Sequence, residues 1–156
     1  MKTLMVYFSW SNNTKKLVEQ INKEFNFDIA RIERKQPYSE DYNTCAYVEA
    51  KEEVEKKIYP AIKNLNINLN EYDKILLFFP IWWYTFPMPV GTFINSIKNF
   101  KGEIFAFANS YTNDPQYMKN SMHDLKELNN NINFKEGLFN QNVKKHIDFV
   151  NKIIEK

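Results

Sequence analysis

The chain has 156 residues, the length of one ordinary domain, with 44% hydrophobic and 26% charged residues. That balance excludes collagen, coiled coil and wholesale disorder, and no apolar run approaches the ~20 residues of a membrane-spanning helix. A formal net charge of +2, from 21 basic and 19 acidic residues, is too even for a nucleic-acid or membrane-surface protein. The single cysteine, Cys45, excludes an intrachain disulfide and a thiolate metal site, and predicts a reducing cytoplasm.

Residues 3–8 (TLMVYF) form an apolar run too short for a helix, which predicts a buried first strand and not a signal peptide. Residues 9–13 read as a turn. From Thr14, Leu17, Val18, Ile21 and Phe25 recur at helical spacing. Residues 27–33 alternate as a second strand, and Pro37 breaks the pattern. Over 44–59, Tyr47, Ala50, Val54 and Ile58 make one helical stripe. Glu49, Glu52, Glu53 and Lys56 make a charged face expected in solvent. Residues 74–79 (KILLFF) are continuously apolar, as a central parallel strand is. After an aromatic loop, Pro89 suits the first turn of a helix carrying Phe93, Ile94 and Ile97. Residues 103–108 predict a fourth strand. Asp114 and Pro115 open a helix with Met118, Met122 and Leu125 inward. Residues 132–139 are a weaker fifth strand, and the last helix aligns Val143, Ile147, Val150 and Ile154.

Strands alternating with helices at this spacing predict an α/β fold of parallel units with right-handed crossovers. The economical arrangement is a three-layer, doubly wound, five-stranded parallel sheet of order 2-1-3-4-5. It spans a single domain, 1–156, with a helical insertion after the second strand, roughly 35–70. Loops 9–14, 80–88 and 109–114 then converge beyond the carboxyl ends of the strands, where such folds bind ligands.

The first of these loops, Ser9-Trp10-Ser11-Asn12-Asn13-Thr14, offers hydroxyls and helix-start N–H groups to an anion and carries no acidic side chain. It is neither a P-loop nor a dinucleotide fingerprint. YFSWSNNTKKL and, downstream, PIWWYTFPMPVGTFI resemble the flavodoxin-like superfamily. The closest likeness is to a short bacterial branch that pairs a SWSGNT-type loop with a WWGTMPMP-type loop. KQPYSEDYNTC and FKGEIFAFANS extend the resemblance over nearly the whole chain.

The resemblance implies non-covalent FMN. Its phosphate would lie in the first loop, at Ser9, Trp10, Ser11, Asn12, Asn13 and Thr14. Pro80, Ile81, Trp82, Trp83, Tyr84 and Thr85 would edge or stack on the ring, and Asn109, Ser110 and Tyr111 would cover it. The activity implied is an FMN-dependent oxidoreductase making a two-electron reduction of a planar aromatic or quinone-like substrate, with no single indispensable acid or base. The alternatives are a one-electron carrier serving a redox partner protein, and a haem- or tetrapyrrole-binding module with His123 or His146 as ligand. Both histidines are expected at the surface.

Asn12, Tyr84 and the loop NSYTND stand where relatives carry glycine. Asparagine tolerates left-handed backbone. Tyrosine is expected to resist it by about 1 kcal/mol or more, which disfavours the backbone rearrangement that stabilises a one-electron-reduced flavin. Tyr38, Tyr42 and Tyr47 either pack the insertion onto the sheet or line a site for a second flat molecule.

Overall fold

The computed structural model describes residues 2–155. Its strands are β1 (Lys2–Tyr7), β2 (Asp28–Arg31), β3 (Tyr72–Pro80), β4 (Glu103–Asn109) and β5 (Asn133–Phe139). All neighbours pair parallel, in the order β2-β1-β3-β4-β5. The helices are α1 (Asn13–Phe25), α2 (Lys51–Lys56), α3 (Met88–Ser96), α4 (Gln116–Leu128) and α5 (Val143–Ile154).

The two-residue period of β3 explains the layering. Leu76 and Phe78 join Met5, Tyr7, Val18, Ile21 and Val150 under α1 and α5. Ile75, Leu77 and Phe79 join Leu4, Val6, Phe93 and Leu125 under α3 and α4. Each such fully buried side chain contributes roughly 1.5–3 kcal/mol, so β3 anchors both layers.

The segment between β2 and β3 departs most from expectation. β2 is shorter than 27–33, although Ile32 stays buried and its N–H still donates to the Tyr7 carbonyl at 2.7 Å. The predicted helix over 44–59 is a π-helical stretch, Thr44–Ala50, that runs into α2 and stops at Lys57, whose φ is 52°. A π-helix this long is rare and tends to mark functional sites. The chain then returns in extended form, with an antiparallel bridge between Arg34 and Ile62. The insertion rests on α3. Thr92 Oγ1 donates to the Pro60 carbonyl at 2.7 Å, and a Cβ at Gly91 would stand 2.6 Å from the Tyr59 ring.

Two surface expectations fail. His146 is 1% exposed. It lies three residues after Val143 on α5, which turns it toward the sheet beside the apolar stripe. Its ring centroid lies 6.0 Å from that of Phe78 and 5.7 Å from that of Phe107. Nδ1 lies 2.8 Å from the Asn142 carbonyl oxygen, and Nε2 has no partner among the described residues. Burial holds its pKa below the ordinary 6.5. The second failure is Glu53, read as part of a solvated face but 4% exposed.

Candidate functional site

Three loops meet at the carboxyl edge of the sheet. In the first, Asn12 takes the left-handed conformation (φ 69°) just before α1, as the substitution of asparagine for glycine predicts. The first N–H groups of α1 have no acceptor within the helix and form an anion-ready end, with no acidic residue in the first turn. Ser9 and Thr14 are buried, and Ser11, Asn12 and Asn13 are exposed. Ser9 Oγ accepts from the Lys15 N–H at 3.3 Å. Thr14 Oγ1 donates to Asn109 Oδ1 at 2.9 Å, and Asn13 Nδ2 donates to the Tyr111 hydroxyl at 3.3 Å. These two bonds tie the first loop to the third. Ser110 N–H in turn donates to Asn140 Oδ1 at 2.7 Å.

The second loop closes as a two-residue turn. Trp82 N–H donates to the Thr85 carbonyl at 2.8 Å and Thr85 N–H returns to the Trp82 carbonyl at 3.4 Å. The central residues Trp83 (φ 51°) and Tyr84 (φ 74°) are both left-handed, which defines a type I′ turn. Tyr84 therefore occupies the hand that a tyrosine is expected to resist. Tyr84 already holds it, at an intrinsic cost of about 1–2 kcal/mol per residue, and tertiary contacts sustain it. Trp83 Nε1 donates to the Ala46 carbonyl of the π-helical stretch at 2.7 Å. Asn120 Nδ2 donates to the Tyr84 carbonyl at 3.0 Å, and Thr85 Oγ1 donates to Asp124 Oδ2 at 2.7 Å.

Between these loops and the insertion lies a cleft of ≈ 260 Å³, walled by Trp10, Tyr42, Tyr47, Trp82, Trp83 and Tyr117, with Ile81 and Ser110 also reaching it. Trp10 Nε1 donates to the Ser39 carbonyl at 3.1 Å, so two indoles hold the first third of the insertion, at Ser39 and at Ala46. Tyr84, 61% exposed, and Tyr111, 97% exposed, stand at the open side of the three loops.

Behind Trp82 sits a charged cluster. The Tyr38 hydroxyl donates to Glu53 Oε1. Arg34 Nη2 is 3.2 Å from Glu53 Oε2, near enough for charge pairing but not aligned as a hydrogen bond. The Arg34 guanidinium also lies 4.2 Å over the Tyr38 ring and 3.5 Å from Glu49 Oε2. Burial pushes the Glu53 carboxyl above its usual range, against the Tyr38 hydroxyl and Arg34, which pull it down. Tyr38 is driven up by burial and by Glu53, and burial pushes the Cys45 thiol up to about 12. The Tyr38 ring meets Trp82 edge-on at 5.3 Å. Tyr38 thus lies in the packing, and Tyr42 and Tyr47 lie at the cleft.

The Flavodoxin family profile matches residues 2–156. The chain belongs to the Flavodoxin family. No curated protein sequence is significantly similar to it. Among solved structures, a flavoprotein from Lactobacillus acidophilus NCFM in complex with FMN is 27% identical, covering 89% of this chain and 93% of that one, with a TM-score of 0.78. A chain from Bacteroides eggerthii DSM 20697, provisionally described as a flavoprotein, is 28% identical over 99% of both chains, with a TM-score of 0.84. Oxidised flavodoxin 2 from Bacillus cereus shares the fold at 16% identity and a TM-score of 0.59, over 99% of both chains.

The flavodoxin fold brings the three predicted loops together and leaves both histidines outside the cleft. His146 is buried under α5. His123 lies on α4, exposed, 3.6 Å from Glu127, and lines a separate groove. Two residues beside the loops escape sequence reasoning. Arg31 Nη2 donates to the Ser9 carbonyl at 2.9 Å and reaches Asn12 Oδ1 at 3.4 Å, and Asn140 braces the third loop. Arg31 was findable, because it ends the second strand and order 2-1-3 places that end beside loop 9–14. Asn120 and Asp124 carried a weaker signal, an i, i+4 polar pair on the fourth helix.

Proposed function

We propose that the chain is an FMN-binding oxidoreductase that passes two electrons as hydride to a flat aromatic or quinone-like acceptor. The observation that carries this reading is the left-handed Trp83–Tyr84 turn at the mouth of an aromatic cleft. The residues present suit FMN. The start of α1, Ser11 and Asn13 offer donors to a phosphate, with Asn12 setting the turn and Arg31 adding positive charge beside it. Ser9 and Thr14 shape that loop from below, and Trp10 walls the cleft. Pro80, Ile81, Trp82, Trp83, Tyr84 and Thr85 supply flat faces and backbone polar groups at the ring, and Asn109, Ser110 and Tyr111 border it from the third loop. FMN supplies the redox chemistry when bound.

The chain's own contribution is to orient the ring and exclude water. Rotating the Trp83–Tyr84 peptide would convert the turn to type II′, and that form puts the first central residue where glycine alone sits readily. Trp83 thus blocks the rearrangement that Tyr84 was expected to block. The turn offers the flavin one fixed backbone, which favours paired electron transfer over one-electron shuttling. At ≈ 260 Å³ the cleft takes one ring system, so the acceptor stacks at the open side, near Tyr84 and Tyr111.

Anaerobic titration of the FMN-loaded protein with dithionite tests the reading. Flavin bands that convert directly to the fully reduced form support it. A distinct long-wavelength one-electron band moves the function to electron carriage for a partner protein. No FMN uptake at micromolar concentration removes the cofactor. No observation favours the haem reading, since neither histidine faces the cleft.

A further inference from the structure

We infer that Asn120 and Asp124 are positioning residues for the flavin, acting through the Trp83–Tyr84 turn and touching no reacting atom. The inference rests on the FMN reading above. α4 meets the turn along one helical face. Tyr117 packs on Tyr84 with ring centroids 5.8 Å apart, Asn120 donates to the Tyr84 carbonyl, and Asp124 accepts from Thr85 Oγ1. Spacings of three and four residues put all three on the same side of the helix.

The amide of Asn120 is itself oriented. Gln116 Nε2 donates to Asn120 Oδ1 at 2.9 Å, which leaves Nδ2 for the turn. The two bonds from α4 are made to consecutive residues, Tyr84 and Thr85, and fix the peptide that leaves the left-handed pair. On the opposite side, Trp83 is held by Ala46. The turn is thus gripped from both flanks, and each grip ends on a main-chain carbonyl or on the threonine hydroxyl.

Two non-glycine residues hold a hand that each disfavours on its own. Without the grip, the turn relaxes to a conformer that does not fit the flavin, and binding must first restore the fit. Apparent affinity then falls by the fraction of protein left competent. The clamp is therefore a device of pre-organisation. A chain with glycine at 84 would need it less, because glycine takes the left-handed form at no steric cost and only Trp83 would remain strained.

FMN affinity, read by quenching of flavin fluorescence, tests this in a cycle of variants. In the parent background, Asn120→Ala is expected to weaken FMN binding about tenfold, and Asp124→Ala comparably. Asp124→Asn keeps an acceptor for Thr85 and is expected to restore most of the affinity. In a Tyr84→Gly background, Asn120→Ala should change affinity less than about twofold. Thermal unfolding of the flavin-free variants should move little, since Asn120 and Asp124 are both only half-buried. Equal losses in both backgrounds, or no loss in either, overturn the inference while leaving FMN binding intact. Failure of the parent protein to bind FMN overturns both readings together.

Discussion

Asn12 and the Trp83–Tyr84 pair bring left-handed backbone to the same cleft by opposite means. Asn12 is a local solution, since asparagine is the non-glycine residue that adopts this hand most readily, and α1 begins at the next position. Trp83 and Tyr84 are poor local choices, and their turn exists because the insertion grips one side and α4 the other. One loop is stable by its own sequence and the other by what surrounds it. A site assembled this way has one end fixed by its own sequence and another whose geometry depends on distant residues.

The largest blow to this contrast should come from Glu53→Leu. It leaves the half-buried Tyr38 hydroxyl without its acceptor and Arg34 with Glu49 as its one remaining carboxylate, at a cost of about 2 kcal/mol. Urea unfolding should report that loss. Hydrogen exchange should accelerate over 38–59 and 82–85 while 9–14 keeps its protection. Equal acceleration in both loops would dissolve the distinction. Asn12→Ala should cost about 1 kcal/mol, while Asn12→Gly should be nearly neutral, both by urea unfolding. Tyr84→Gly should stabilise by only about 0.5 kcal/mol, because relief of the hand is partly offset by the freer unfolded chain. A loss there would mean that the Tyr84 ring contributes more than its exposure suggests.

His146 belongs to neither loop and serves as the control. Its folded pKa is lowered by burial. Below about pH 6.5 the unfolded chain takes up a proton that the folded state refuses, so stability is lost as pH falls through 6.5 toward the folded value. The loss should appear equally in parent, Asn12 and Tyr84 variants, and His146→Phe should abolish it in a pH series of thermal melts.

The fold was legible because apolar runs and helical stripes alternate regularly, and KILLFF announces a strand buried on both faces. The convergence of the three loops follows from strand order alone. What stayed hidden depends on tertiary context. Glu53 lies in a charged run and looks solvated until Arg34 and Tyr38, 19 and 15 residues earlier in sequence, fold over it. The left-handed pair is hidden because propensity assigns that hand to glycine. His146 reads as a flank of the α5 stripe, and only the width of the sheet beneath decides that it goes inside. The π-helical stretch looks like ordinary helix, since its period shifts by one residue only where neighbours hold it.

Trp10 and Trp83 fasten the insertion through the carbonyls of Ser39 and Ala46, and a carbonyl is present whatever side chain a residue bears. Those two moorings therefore survive any change of side chain at Ser39 or Ala46. Selection could revise which molecules the cleft admits by rewriting Tyr42, Tyr47 and their neighbours, with the sheet and both tryptophans untouched. The two indoles act as posts for an interchangeable panel, which leaves the lining of the cleft open to change.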